Sequence, residues 1–297
     1  MCKPSKRSGL ANNLEPNGIK RPFRINISIG VEKRNVGVAG LLDTLGTETA
    51  FKTEYLDDAK VILQKYLPEL LRFLAESSKE KAGLAEFVKL NLLYLCIDEL
   101  IAAFHLARHF FNNQAFSHIR SVVENLDKVE LFLQQPKWAE LWANDDPEQE
   151  KTKRREFMPS SVRKKLGKES YDPIYGMFSE LGPHGTFSGV GWRTALDIQE
   201  STWDQFVYNI WIGGSPHDTK SSFTTSNVLY AFLAVLEKVV KTYFPTDEKC
   251  LSIYQEAQRE IVSYTKKHFV NQAVRNGQDP QDIIAKFDES FPEYKGE

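Results

Sequence analysis

The sequence predicts a mainly α protein, a helical bundle with a small β hairpin near its N-terminus. Apolar residues recur at helical spacing from Glu54 onward, and strict alternation of β-branched residues is confined to positions 25–38. A hydrophobic content of 41% and a charged content of 26% are typical of a globular chain. With 297 residues the chain can bury a large core, so we expect a flexible tail over 1–22 and one helical-bundle domain over 23–297.

The N-terminal segment predicts the tail and then the β element. Residues 1–22 mix Lys, Arg, Pro, Asn and Gly and contain few apolar side chains, as poorly ordered termini do. The next stretch, FRINISIGVEKRNVGVAG, alternates apolar and polar residues on both sides of a polar turn. Its apolar positions are Ile25, Ile27, Ile29, Val31, Val36 and Val38. This period-two alternation indicates a strand or a hairpin.

Three long helices are predicted next. The first begins at Glu54, and we expect Pro68 to kink or divide it, because proline lacks the N–H that a helix needs. The second runs from about residue 80 to Asn112, and the third from about Gln114 to position 134, before Pro136. The second has two apolar seams: Leu90, Leu93, Ile97, Leu100, Phe104 and Phe111, and Leu92, Cys96, Ala103, Leu106 and Phe110. A helix that is apolar on so many sides belongs at the centre of a bundle.

The remaining chain predicts shorter elements and then two more long helices. Residues 137–172 are polar and favour short surface helices, and IYGMFSELGPHGTF favours a short helix that runs into a Gly-rich loop. The stretch WDQFVYNIWIGG is compatible with a strand or a short helix. Amphipathic helices are predicted over 222–243 and 247–276, with a final short one over 279–291.

Composition also limits the binding partners and the cellular compartment that we expect for this protein. The 38 basic and 40 acidic residues nearly cancel, which argues against a general affinity for nucleic acid or membranes. The three cysteines are far apart and form no CxxC pair, so we expect a reducing cytoplasm and no cysteine zinc site. No apolar run follows the basic N-terminus, and the most apolar stretch, LNLLYLCIDELIAAFHLARHFF, is interrupted by charged residues. It predicts a buried helix, not a membrane span.

A first candidate site is a pair of histidines at the end of the second helix. His105 and His109 are four residues apart, a spacing that places two rings on one helix face and can chelate a metal. Asp98 lies on the same stripe and would supply an oxygen ligand. The alternative is that this stripe meets water or hydrogen-bonds a neighbouring helix, and short helical motifs of this kind arise often by chance.

A second candidate site is Arg120 with Glu124 on the third helix, accompanied by Ser117 and Ser121. A spacing of four residues allows an ion pair on a helix surface, which contributes only about 0.3–0.5 kcal/mol. Alternatively Arg120, held by Glu124, points into a cleft and binds phosphate, a role that suits the planar guanidinium.

A third candidate is His184, in the Gly- and Pro-rich corner SELGPHGTF. Such a corner can present an imidazole to a cleft as a general acid or base, or it can hold a turn histidine bonded to backbone carbonyls. His217 in GGSPHDT has the same two interpretations. The basic stretch 151–168 contains one aromatic residue, Phe157, and follows an acidic run, so a solvated surface is favoured over a phosphate-contacting patch.

Two motifs read together are similar to those of a known family. FSHIRSVVENLDKVELFLQQPKWAELW and YGMFSELGPHGTF resemble a family of all-helical bacterial proteins of unknown function, over roughly residues 80–190. The family carries Arg-Ser-x-x-Glu on one helix and a short helix that ends in Ser-Glu-Tyr-Gly-x-His-Pro. The matching residues here are Arg120, Ser121, Glu124, Ser179, Glu180, Gly182 and His184. Leu181 stands where the family has an aromatic residue, and Gly185 where it has proline.

The resemblance implies a shared cleft. Arg120, Glu124 and His184 would meet there as the catalytic residues, and the substrate-binding residues would be Ser121, Ser179 and Glu180. More distantly, the chain resembles the HEPN helical bundles, many of which are metal-independent ribonucleases and dimers. RNA or a nucleotide, and a homodimer, are the partners that this likeness implies. The arginine and nearby histidine of the HEPN motif are absent from a single helix here, so that role does not transfer residue by residue.

Two classes of function follow from the sequence. The first is a binding or interaction module in which the Arg/Glu/His cleft is a structural polar network. The second is a HEPN-like ribonuclease or nucleotide-processing enzyme in which Arg120 holds phosphate, Glu124 orients Arg120 and His184 transfers a proton. The sequence lacks a Walker loop, a GxGxxG after a strand and a GxSxG elbow, and it indicates no cofactor. We therefore favour the binding module.

Overall fold

The computed structural model describes residues 54–78, 83–109, 111–144, 146–168, 173–182, 194–197, 207–210 and 218–294. These ranges form ten α-helices and one two-stranded sheet. The helices are α1 (Glu54–Ser77), α2 (Leu84–Arg108), α3 (Asn112–Gln134), α4 (Lys137–Ala143), α5 (Glu150–Glu156), α6 (Pro159–Lys165), α7 (Pro173–Leu181), α8 (Asp218–Tyr243), α9 (Glu248–Arg275) and α10 (Pro280–Ser290). The predicted mainly α class is confirmed. The N-terminal hairpin and tail lie outside the described residues.

Two aspartates and one glycine set the limits of α9 and α10. The Asp247 carboxylate accepts hydrogen bonds from the backbone amides of Lys249 and Cys250, both at 3.0 Å, and so caps α9. Asp279 caps α10 in the same way and is followed by a proline in the first helical turn. After α9, Gly277 takes a φ of 68°, which lets its N–H and that of the next residue bond back to the last turn.

Helix α1 continues through Pro68, so the predicted division of this helix is not observed. The proline removes one backbone donor, but buried apolar side chains flank it on both sides. Leu67 and Leu70 are buried in the core and hold the two halves of α1 against the same neighbours. Tertiary packing therefore outweighs the local cost of the proline.

Helix α2 lies at the centre of the bundle, as its apolar surface predicts. It packs most extensively against α3 and also contacts α8, α4 and α1. One hydrophobic core cluster joins these helices and also takes side chains from α6, α7 and α9. Most of the residues in the two predicted seams are buried, including Leu93, Cys96 and Phe104.

The boundary between α2 and α3 differs from the prediction. α2 ends at Arg108 and α3 begins at Asn112, because the amides of His109 and Phe111 both bond to the carbonyl of Leu106 and close a turn. Phe111, assigned to an apolar seam of α2, is 36% exposed at this turn. Apolar residues continue at helical spacing across the turn, so the sequence pattern does not show that α2 ends there and α3 begins.

The predicted short elements are confirmed in type. α4, a 3₁₀ turn at Pro147–Gln149, α5 and α6 form the polar stretch after α3, and α7 is the short helix before the Gly-rich segment of the sequence. Within the stretch that allowed a strand or a helix, Val207–Ile210 is a strand. It pairs antiparallel with Thr194–Asp197, in a register that places Thr194 opposite Ile210.

Helix α8 is long and largely apolar. Its residues Lys220–Tyr243 are long and apolar enough to cross a membrane by length and composition, and 67% of the most apolar window is buried inside the protein. Burial of that kind is also found in the core helices of globular proteins, which pass the same test.

Candidate functional site

Arg120, Glu124 and Tyr175 form a closed triangle of hydrogen bonds between α3 and α7. The Arg120 Nε donates to Glu124 Oε1 at 2.8 Å and to the Tyr175 hydroxyl at 3.1 Å, and that hydroxyl donates to Glu124 Oε1 at 2.8 Å. The side chains of Arg120 and Glu124 are only 23% and 22% exposed. The predicted i,i+4 pair therefore forms, but it is part of an interhelical contact instead of a solvent-facing pair.

Tyr175 also lies between two guanidinium groups. The Arg120 Cζ is 5.2 Å from the centre of its ring, and the Arg163 Cζ is 5.5 Å from it. Both distances are typical of cation–π contacts. Burial raises the pKa of Tyr175, and the hydrogen bond to the Glu124 carboxylate raises it further. The hydroxyl therefore remains protonated and donates to Glu124 at neutral pH.

The contacts of α3 continue beyond this triangle in a second ion cluster. Arg163 of α6 is 4% exposed and pairs with Asp127 of α3 at 3.2 Å. Lys168 bonds Asp127 at 2.7 Å and Glu130 at 2.8 Å, and Lys238 of α8 lies 3.6 Å from Glu130. We call this set, with the Arg120 triangle, the α3 charge network. It connects α6, α7 and α8 to one face of α3.

Sequence reasoning missed most of this network. Glu124, Asp127 and Glu130 follow one another at steps of three on α3, and this spacing indicates an acidic stripe. Apart from Arg120, which is on the same helix as Glu124, their partners come from positions 36 residues or more away, as with Arg163 and Asp127. Side chains that distant in sequence share no periodic pattern. Apart from the i,i+4 pair, only the acidic residues of α3 could therefore be recognised from the sequence.

The C-terminal end of α7 is fixed against the start of α3. The Asn113 side-chain amide donates to the Leu181 carbonyl at 2.5 Å. A Cβ atom added to Gly182 would lie 2.7 Å from the Phe178 carbonyl oxygen and 3.1 Å from Ser117 Oγ, so this close approach requires glycine. The glycine of the Ser-Glu-x-Gly-x-His motif thus has a packing role in this chain.

The other described residues of the predicted cleft differ in burial and in hydrogen bonding. The Ser121 hydroxyl donates to the Ser117 carbonyl on its own helix, and the Glu180 side chain is exposed. Ser179 Oγ is buried and bonds to no described residue. His184 and His217 lie outside the described residues, so the meeting of Arg120 with His184 stays a prediction.

The predicted three-residue metal site does not form. The rings of His105 and His109 are adjacent, with centres 4.7 Å apart. Asp98 is exposed and lies seven residues before His105, about 10 Å along the helix axis. Among the described residues, which include all three, no group of three or more His, Cys, Asp and Glu side chains could hold a metal. A shared stripe on a helix does not bring side chains two turns apart to one ion.

The histidine pair is instead partly enclosed. His105 Nδ1 and His109 Nε2 are buried and bond to no residue in the described ranges. Burial lowers the pKa of His109, and the nearby His105 and Arg108 lower it further. The third histidine of this region, His118, bonds Glu99 of α2 at 2.5 Å and is an interhelical contact that the sequence analysis did not single out.

The basic stretch 151–168 is largely a solvated surface with its own acids, as favoured from the sequence. Arg154 is 80% exposed and pairs with Glu150, while Lys165 pairs with Glu156 at 3.0 Å. Arg163 and Lys168 are the exceptions within this stretch, because both pair with Asp127 of α3.

Fold and site together define a mainly helical bundle whose third helix is linked to its neighbours by a half-buried charge network. No protein-family model, curated protein or solved structure matches the chain.

Proposed function

We propose that this chain is a binding or interaction protein in which the α3 charge network is structural and the protein does no chemistry through Arg120 and Glu124. The observation that carries the proposal is the closed Arg120–Glu124–Tyr175 triangle. Arg120 donates a hydrogen bond to the Tyr175 hydroxyl, and Glu124 accepts one from it, so both charged groups are bonded to a tyrosine of the same chain. The network fixes α7 and, with it, the start of the segment that follows Gly182.

The energetics of burial support a structural role. A half-buried ion pair contributes little by itself, but removing one partner leaves the other charge poorly solvated. Each member of the triangle is hydrogen-bonded to the other two, and Arg120 and Arg163 both make cation–π contacts with the ring of Tyr175. A network of this kind selects one packing of α7 on α3.

The test separates stability from chemistry. We expect Arg120→Ala to lower the free energy of unfolding by about 1–3 kcal/mol, the cost of leaving the carboxylate of Glu124 without its charged donor. The stability loss should be non-additive with that of Tyr175→Phe, as measured by chemical denaturation in a double-mutant cycle. Unchanged stability of Arg120→Ala, together with loss of a catalytic turnover shown by the wild type, would contradict the proposal.

The second candidate function is metal-independent ribonuclease or nucleotide-processing activity, with RNA or a nucleotide as substrate. One observation favours it: Gly182 lies against Ser117, one helical turn before Arg120, and His184 follows two residues later in the sequence. Wild type, Arg120→Ala and His184→Ala should be incubated with mixed RNA in the presence of a chelator. Loss of RNA with the wild type alone would support the nuclease, and equal loss or no loss with all three would exclude it.

The location and assembly belong to the same proposal. A cytoplasmic protein is supported by Cys96 and Cys250, which are buried free thiols. A homodimer remains the assembly that the HEPN likeness implies. Sedimentation measurements at several concentrations would show whether two copies associate.

A further inference from the structure

A polar cavity of about 220 Å³ lies where α1 begins and α9 ends, away from the α3 charge network. Its walls include Glu54, Tyr55, Ser222, His268, Asn271 and Arg275. The residues come from α1, α8 and α9, so the cavity belongs to the packed bundle and not to one loop. Its described wall residues include no member of the α3 charge network.

His268 is one of the most enclosed polar groups of the cavity, at 6% exposure. Its Nε2 lies 3.0 Å from Asp58 Oδ2, and the same carboxylate oxygen accepts a hydrogen bond from Lys267 at 2.8 Å. Since an ionised carboxylate only accepts hydrogen bonds, we assign the proton of the neutral imidazole to Nε2. The other ring nitrogen, Nδ1, is then an acceptor and makes no hydrogen bond with the described residues.

The imidazole is also held in place by aromatic neighbours. The ring of Tyr264 lies 4.5 Å from that of His268, and the ring of Tyr55 meets it edge-on at 6.2 Å. With its Nε2 held by Asp58, the ring cannot rotate without losing these contacts. The acceptor Nδ1 is thus preorganised at the wall of the cavity, which lowers the entropic cost of binding a donor.

The remaining walls supply further hydrogen-bonding groups. The Asn271 carboxamide offers a donor and an acceptor and bonds to no side chain in the described ranges. Ser222 Oγ donates to Gln272 Oε1 at 3.3 Å and lies in the same wall. The charged groups of the wall are already engaged within the protein, because Glu54 pairs with Lys267 at 2.9 Å and Arg275 has a partner of its own. A bound molecule therefore meets polar groups from several directions and charges that are already paired.

We propose that this cavity binds a small, neutral polyhydroxyl compound of about the size of a monosaccharide. Hydroxyl groups donate and accept, so they match an acceptor at His268 and both functions at Asn271. A nucleobase would need apolar contact with both flat faces, and the aromatic rings among the described wall residues, Tyr55 and His268, meet each other edge-on at 77° and do not form parallel walls. Glu54 and Arg275 already have partners within the protein, so an ionic ligand would gain no new pairing from them.

The test uses ligand-observed NMR with the full chain and three probes, D-glucose, D-ribose and myo-inositol. L-alanine and adenosine serve as comparison probes for a zwitterion and a nucleobase. We expect at least one polyol to bind the wild type, and Asn271→Leu to weaken that binding about fivefold or more, since a paired polar group is lost. Gln255→Leu, an exposed amide on the same helix but more than four turns away, is the matched control and should bind as the wild type does.

Three results would overturn the proposal. They are no binding of any polyol to the wild type, equal polyol binding by wild type and Asn271→Leu, and binding of L-alanine or adenosine in place of the polyols. Ser222→Ala gives an independent check should Asn271→Leu prove unfolded by circular dichroism. It deletes one hydroxyl of the wall, and unchanged polyol affinity in that folded variant would likewise count against the site.

Discussion

At the scale of single residues, Tyr175 shows how one side chain joins two kinds of interaction. Its hydroxyl completes the hydrogen-bonded triangle with Arg120 and Glu124, while its ring lies between two guanidinium groups. The two contributions are separable, because phenylalanine keeps the ring and loses the hydroxyl. The ring contacts persist in that variant, so the hydroxyl alone is measured.

We expect Tyr175→Phe to destabilise the protein by about 1–2 kcal/mol, the range for a hydrogen bond to a charged group. Chemical denaturation followed by circular dichroism measures this difference. Tyr94→Phe is the matched control, since the Tyr94 hydroxyl bonds to no residue in the described ranges. Equal losses in the two variants would show that the triangle adds no stability.

His268 makes stability depend on pH. Burial lowers its pKa from 6.5, so between that value and the folded-state pKa the unfolded chain binds more protons than the folded one. The stability that neutral His268 contributes is fully present above about pH 6.5. It is lost as the pH falls through the lowered pKa of His268 in the folded state. Although burial opposes it, hydrogen bonds from Lys267 and His268 lower the pKa of Asp58, so this carboxylate stays ionised over the window.

The corresponding measurement is the free energy of unfolding at pH 7.5 and 5.5. We expect the wild type to lose stability on acidification, and His268→Phe to lose less, because phenylalanine takes up no proton. His109 contributes in the same direction, so part of the wild-type dependence should remain in the variant. An identical pH dependence in both proteins would mean that His268 is solvated in the folded state.

At the scale of elements, α7 is held on α3 at both of its ends. Tyr175 contacts Arg120 and Glu124 near its start, and Gly182 lies against Ser117 just past its end. α7 therefore runs antiparallel to α3, and its position depends on a close backbone approach at one end. A side chain at Gly182 would separate the two helices.

We expect Gly182→Ala to cost about 1–3 kcal/mol, the usual penalty for inserting a methyl group into a filled space. The obstacle is a backbone oxygen of Phe178 at 2.7 Å, which cannot move aside as a flexible side chain can. Gly83→Ala is the control, because a Cβ there meets nothing within 4 Å. Thermal unfolding of both variants is the measurement, and a Gly182 variant as stable as the Gly83 variant would contradict the packing argument.

At the scale of the whole molecule, the α3 charge network and the hydrophobic core act together. The core gathers apolar side chains from eight of the ten helices in the described ranges. The network then connects α6, α7 and α8 to the polar face of α3. The burial of Arg163 makes its pairing with Asp127 obligatory, since an unpaired buried guanidinium is strongly unfavourable.

We expect Asp127→Asn to destabilise the protein by about 3 kcal/mol or more, because it leaves Arg163 and Lys168 without their shared carboxylate. Glu150→Gln is the control, since its partner Arg154 is 80% exposed and such surface pairs contribute at most about 1 kcal/mol. Denaturant titrations of the two variants measure how much unfolding free energy each one loses. Similar, small losses would show that the buried pair is no more stabilising than a surface one.

Much of the helical framework could be predicted from local patterns, and the site only in part. The apolar seams of α2 predicted its central position, and the spacing of Arg120 and Glu124 predicted their contact. The turn at 109–111 was missed because apolar residues continue across it. Of the candidate metal ligands, His105 and His109 lie side by side, while Asp98 is too far along the helix from His105 to share an ion with them.

The sequence by itself determined which segments are helical and which faces are apolar, because helix periodicity and side-chain polarity are properties of neighbouring residues. Only the tertiary structure decided which distant side chains meet. Tyr175 reaches Arg120 across 55 positions, and His268 reaches Asp58 across 210. Such contacts depend on how the helices pack, and packing follows from the whole core and not from any local spacing.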